Sequence, residues 1–107
     1  MADAGDPFET LYARGVTDGL PVIPPTRGRV AAAVAATGRA GSEVIALVPP
    51  NFGRATVEKI AVNAVMAGCR PEYFPVVLAA VDALLDPTFN LRGVQTTDEN
   101  VAPLLLV

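Results

Sequence analysis

Residues able to do chemistry are few and concentrated in one stretch, Thr56-Val-Glu-Lys-Ile-Ala-Val-Asn-Ala-Val-Met-Ala-Gly-Cys-Arg-Pro-Glu-Tyr-Phe-Pro75. Cys69, the only cysteine, follows a helix-stopping Gly68 and precedes Pro71, which can open a second helix. Free amides at that second helix start, with Arg70 beside them, favour the thiolate and make Cys69 a candidate nucleophile, redox thiol or soft-metal ligand. The opposing reading is a small inert core hydrophobe. Glu72 and Tyr73 lie in the same turn and are candidate proton carriers. The competing reading has Glu72 complementing the helix dipole and Tyr73 simply packing. On the preceding helix, Lys59 and Asn63 stand four apart on one edge and are candidate substrate ligands, with Arg54 and Arg70 as further cationic contacts. Asn63 sits between apolar neighbours, so it is expected to be buried and satisfied by backbone, partner or ligand.

The elements that position these groups follow from pattern and punctuation. Pro7–Arg14 reads as a short helix stopped by Gly15, and Arg27–Thr37 as a second, with Thr26 as N-cap and Gly38 as stop. Between them, Asp18-Gly-Leu-Pro-Val-Ile-Pro-Pro-Thr26 cannot be helical. Its prolines fix an extended path that is expected either to press Leu20, Val22 and Ile23 into the core or to line a ligand site. Glu43–Val48 has strand composition and Asn51–Arg54 reads as a loop. That glycine loop feeds the helix at Thr56, where free amides and Arg54 offer a weak signal for a carboxylate or phosphate. It matches no dinucleotide or Walker pattern. Val57, Ile60, Ala61, Ala64, Val65 and Gly68 form one apolar stripe, with Val62 and Met66 opposite, so the Thr56–Gly68 helix is expected to be buried on two sides. A further helix spans Pro71–Leu85, and Phe89–Thr96 and Val101–Val107 read as strands joined by the polar loop Gln95–Asn100. The expectation is an α+β fold of helices on a small mixed sheet, a single domain over 1–107 with a flexible 1–6, completed by another chain.

Composition bounds the function. The 107 residues are enough for one domain and too few for two, and should bury roughly two-thirds of the unfolded surface. Hydrophobic residues make up 51% and charged ones 18%, below the usual ~25%, which leaves little polar surface to coat a free-standing monomer. Eight basic residues, scattered, against 11 acidic ones provide no clustered face for nucleic acid. With no histidine and one cysteine, the chain alone cannot assemble a Ser-His-Asp triad, a disulfide or a histidine or all-cysteine metal site; Cys69 is the only metal candidate and the cofactor is left open. Neither a signal peptide nor a membrane-length apolar run is visible, which makes the cytoplasm the expected location. The run Leu104-Leu-Leu-Val107 has the character of a central strand and calls for something beyond these residues to cover it.

Three segments carry a resemblance. Asp18-Gly-Leu-Pro-Val-Ile-Pro-Pro-Thr26, the stretch Asn63-Ala-Val-Met-Ala-Gly-Cys-Arg-Pro-Glu-Tyr-Phe-Pro-Val-Val77, and Phe89-Asn-Leu-Arg-Gly-Val-Gln-Thr-Thr97 resemble a family of largely uncharacterised bacterial proteins. The resemblance covers most of the chain from residue 11 onward. It implies association with a small protein bearing a selenocysteine- or cysteine-Gly-Ser-Cys motif, and hence thiol or selenol chemistry. Relatives of that family extend beyond the position of Val107, so the resemblance implies a shorter chain here. Two functional readings follow. In one, the chain is a subunit of a hetero-oligomeric enzyme of oxidoreductase or lyase type, contributing Cys69, Asn63, Glu72 and Tyr73 to a small-molecule site completed by a partner. In the other it is an accessory or scaffolding subunit with an inert cysteine. A monomeric binding module ranks behind both.

Overall fold

The computed structural model describes residues 5–107, and four of the six N-terminal residues expected to be flexible lie outside that range. The other two include Asp6, which is ordered: its carboxylate accepts from the Phe8 amide at 2.9 Å and starts helix α1, Pro7–Ala13. Thr26 does the same for α2, Arg27–Ala35, accepting from the Arg29 amide at 3.3 Å. Thr56 caps α3, Val57–Met66, by accepting from the Lys59 amide at 3.1 Å. Each cap satisfies an amide that the first helical turn leaves without an internal partner. After α3 a single 3-10 turn, Pro71–Tyr73, runs directly into α4, Phe74–Leu84.

The chain is α+β, with its sheet reduced to one antiparallel hairpin. Strand β1, Val44–Val48, pairs with β2, Gly53–Thr56, in a register that sets Leu47 opposite Arg54 and Val48 opposite Gly53. The segment read as the loop Asn51–Arg54 therefore gives its last two residues to β2. The Pro49–Pro50 peptide in the connection is cis.

The C-terminal third departs from expectation. Phe89–Thr96 is not a strand: Pro87–Phe89 is a 3-10 turn and α5 spans Leu91–Thr96. Asn90 decides this. Its backbone takes the left-handed conformation (φ 57, ψ 53), and its side-chain oxygen accepts from the Gly93 amide at 3.3 Å. Asparagine is one of the few residues that tolerate this conformation and also cap a helix. Val101–Val107 is not a strand either. It has no regular structure, and all seven residues are exposed.

The core is built around α3. Val57, Ala61, Ala64 and Val65 are buried against Val30 and Ala33 of α2 and against Phe74 and Leu78 of α4. Ile60 and Val62 are half-buried at its edge. Among the described residues no polar or charged side chain is buried. The extended segment reaches α3 through one backbone bond, Ile23 N–H to the Met66 carbonyl at 3.1 Å. It does not fill the core: Leu20 is 66% exposed and Ile23 42%, with only Val22 half-buried. Prolines at 21, 24 and 25 hold it as a rail along the surface. Among the described residues no single helix is long and apolar enough to cross a membrane; the apolar stretch formed by Pro71–Leu84 and Pro87–Thr96 is bent by 64°.

Candidate functional site

Cys69 is placed by the end of α3. Gly68 takes a positive φ of 87°, its amide bonds to the Val65 carbonyl at 2.9 Å, and the Cys69 amide bonds to the Ala64 carbonyl at 2.9 Å. This pair of bonds is the glycine-closed helix terminus in which the residue after the glycine turns back onto the last helical turn. Cys69 is that residue, which explains its half-buried position against the core. Its sulfur lies 3.4 Å from the Arg70 carbonyl oxygen, to which the thiol donates.

The amides expected to be free beside this sulfur are taken. Pro71 has no N–H, and the Tyr73 amide bonds to the Arg70 carbonyl at 3.0 Å. The Glu72 amide turns to its own carboxylate. The Arg70 guanidinium is itself engaged: its Nε donates to Glu72 Oε1 at 2.8 Å. That bond, followed by the Glu72 backbone bond, holds the Glu72 carboxyl below its usual value, and the same bond to the carboxylate raises Arg70. Arg70, Glu72 and Tyr73 are all exposed, Tyr73 by 57%.

Cys69 lines an open hollow of about 490 Å³ together with Ile23, Arg29, Ala32, Val65 and Arg70. Arg29 was not among the sequence candidates. Its placement follows from α2 lying beside the end of α3, which no local pattern announces. It donates from Nη1 to the Pro24 carbonyl at 3.1 Å. Among the described residues no group of three or more cysteine or carboxylate side chains is arranged to hold a metal ion.

Lys59 and Asn63 form a separate place. Asn63 is exposed, not buried, and its Nδ2 donates to the Lys59 carbonyl one turn back at 2.8 Å, the common outcome for a short polar side chain inside a helix. The Lys59 ammonium donates to the Arg54 carbonyl at 3.2 Å. Both side chains stand on the rim of a second, larger hollow of about 510 Å³ whose floor is carbon: Val48, Ile60, Val77, Val81, Leu84 and Leu91 are among its lining residues. Sequence reasoning did not single out this groove, although Val77, Val81, Leu84 and Leu85 recur at the i, i+4, i+7, i+8 spacing of one helical face. Asn63 also borders a third hollow, with Asp18, Leu20, Val22 and Met66.

Arg54 lies on β2 and is exposed, and the α3 terminus behind it has no amide to offer an anion. Val57 N–H bonds to the Glu43 carbonyl at 2.9 Å, Glu58 N–H to the Gly41 carbonyl at 2.9 Å, and Lys59 N–H to the Thr56 hydroxyl. The connection between α2 and β1, through Gly41 and Glu43, thus closes the terminus that the glycine loop was expected to leave open.

The seven candidates therefore divide. Cys69, Arg70, Glu72 and Tyr73 share one turn, Lys59 and Asn63 line the apolar groove, and Arg54 stands outside it, tied to Lys59 only through its backbone carbonyl. None of these three hollows is lined by both Asn63 and Cys69. The extended segment bridges both, with Ile23 in the Cys69 hollow and Val22 beside Asn63. Comparison with protein-family models, with curated proteins and with solved structures finds no match for this chain.

Proposed function

We propose that the chain is a component of a larger protein assembly in the cytoplasm, where its main work is to offer apolar docking surface. The observation that carries this reading is the amount of surface left exposed. The chain presents 7582 Å², whereas a compact monomer of its 11.1 kDa exposes about 5,700 Å². Its radius of gyration is 15.4 Å, against ~13 Å for a compact domain of this length. Exposed large side chains include Leu20, Leu47, Phe52, Val101, Leu104 and Leu106. Surface of this kind marks association sites. The polar chemistry within the chain is correspondingly thin, since Glu72 is exposed and paired with Arg70, Tyr73 is exposed, and the half-buried Cys69 thiol donates to a backbone carbonyl.

Native mass spectrometry of the chain produced together with the products of its neighbouring genes tests the reading. The expected result is a complex containing a second polypeptide or several copies. A bare 11.1 kDa species under those conditions rejects it.

The half-buried position of Cys69 in a hollow with Arg29 and Arg70 supports a second reading, an enzyme subunit whose partner completes a site for a small anionic molecule. It predicts that iodoacetamide modifies Cys69 quickly in the isolated chain and that the substrate or the assembled partner protects it. Equal labelling with and without them sets this reading aside.

A further inference from the structure

The groove beside α3 separates carbon from polarity as an amphiphile does. Its apolar lining includes Val48 of β1, Ile60 of α3, Val77 and Val81 of α4, and Leu91 of α5. These five side chains are half-buried or buried, whereas Lys59 and Asn63 are exposed, so the carbon is recessed and the polar groups stand at the mouth. Protruding side chains such as Leu20 and Leu47 offer contact to another protein's surface; recessed ones require an occupant narrow enough to enter. A concave, mostly apolar cleft with a few polar groups is the form of a small-molecule site, and about 510 Å³ falls within the usual ~300–1,000 Å³.

Charge indicates which small molecule fits. Of the residues that line the groove, Lys59 alone is charged. Among the described residues the ion pairs are Arg39–Glu43 and Arg70–Glu72, so no carboxylate of the chain neutralises Lys59. Its ammonium uses one of its three N–H donors on the Arg54 carbonyl, and Asn63 uses one of its two amide hydrogens on the Lys59 carbonyl. Two donors on Lys59, one on Asn63 and a single positive charge remain at the mouth. They match a head group that carries one negative charge and only accepts hydrogen bonds, as a carboxylate does. The walls are also tied together. The Arg92 guanidinium lies 5.9 Å from the centroid of the Phe52 ring, a cation–π contact that joins the hairpin connection to α5, so the groove has its shape before a ligand enters.

We propose that this groove binds a medium-chain monocarboxylate, with the hydrocarbon chain on Ile60, Val77, Val81 and Leu91 and the carboxylate accepting from Lys59 Nζ and Asn63 Nδ2. The ligand occupies carbon surface inside the chain, whether or not a partner polypeptide docks elsewhere on it. Burial of the hydrocarbon supplies most of the affinity, and Lys59 supplies the choice of head group.

Titration calorimetry of the purified chain with octanoate, octanol and octylamine, each below the concentration at which it aggregates, is the test, with backbone amide shifts to locate the ligand. The expected result is one saturable octanoate site whose shifts centre on Ile60, Asn63, Val81 and Leu91. Octanoate should bind about fivefold more tightly than octanol, the upper range for an exposed ion pair, and octylamine more weakly than either. Lys59→Met alters an exposed position and keeps the carbon stem. It should fold with an unchanged circular dichroism spectrum, bind octanol as the wild type does and lose the preference for octanoate, whereas Lys59→Arg should retain that preference. Octanoate uptake that never saturates overturns the proposal, because it reports adsorption to exposed carbon. Shifts centred on the Cys69 turn or on Leu104 overturn it as well, as does equal affinity of the wild type for octanoate and octanol. A preference for octanoate that survives in Lys59→Met also overturns it. Should Lys59→Met not fold, the comparison of the three ligands on the wild type and the shift map decide the matter.

Discussion

At the scale of single residues, the turn around Cys69 shows how backbone geometry assigns a role that residue type leaves open. A cysteine between a glycine and an Arg-Pro pair has the sequence look of an activated thiol. The bonds from the Gly68 and Cys69 amides to α3 make it first the closing residue of a helix. Gly68 is the critical member, since a side chain at φ 87° is strained whatever space surrounds it. Gly68→Ala should lower stability by about 1–2 kcal/mol in urea denaturation, whereas Cys69→Ala, which keeps the backbone bonds, should cost less. If Cys69→Ala proves the more damaging, the thiol does more than complete the cap. The neighbouring Arg70–Glu72 pair makes a pH-dependent contribution. Because the Glu72 carboxyl titrates below its unfolded value, chiefly through the Arg70 hydrogen bond, its stabilisation is present above the unfolded value of 4.5 and is lost as pH falls through the folded one. Both partners are solvated, so the effect is small and weakened by salt. Glu72→Gln should flatten the fall in melting temperature between neutral and acid pH at low ionic strength. An unchanged slope would mean that the ion pair does not persist in solution.

At the scale of elements, helices were legible where a capping side chain stood before a periodic run. Thr26 accepts the amide that its reading as a cap predicts; Asp6 and Thr56 do the same, although the sequence places Asp6 in a flexible end and Thr56 within its helix. Misreadings arose where the start signal had two functions. Asn90 enters α5 in the left-handed conformation and also caps it, so Phe89, Val94 and Thr96 kept the look of a strand. Six residues are also too few for a helical period to show. Asn63 looked buried because its sequence neighbours are apolar, but it falls on the rim between two hollows. The local cluster Cys69, Arg70, Glu72 was legible because one turn contains it. The split between that cluster and Lys59 was not, because it depends on which sides of α3 the hairpin, α2 and α4 occupy. The caps are testable. Thr56→Ala should cost about 1 kcal/mol, the usual value of a lost N-cap, and Asn90→Val more, since it loses the cap and gains strain at a positive φ. Asn90→Gly should lie closer to the wild type than Asn90→Val. A reversal of that order in thermal melts would contradict the left-handed entry to α5.

At the scale of the whole molecule, two facts have one consequence. Among the described residues the core is small, formed by eight side chains from three helices, and the hairpin and α5 border it with open hollows between the elements. A two-stranded sheet is marginal by itself, and a chain of this size has little stability to spare after conformational entropy is met. Phe74, fully buried at the meeting of the 3-10 turn and α4, therefore carries a large share of what holds the fold. Phe74→Ala should cost about 3–5 kcal/mol, enough to unfold most of the isolated chain. Association alters that outcome by mass action, because a partner that binds only the folded form adds to its stability in proportion to the logarithm of concentration. The conservative variant Phe74→Leu should thus be measurably more folded in the co-produced assembly than alone, as read by thermal melts. Equal melting temperatures for the isolated and the assembled protein would show that the exposed carbon surface contributes nothing to holding this chain together, and that its stability resides in the core around α3.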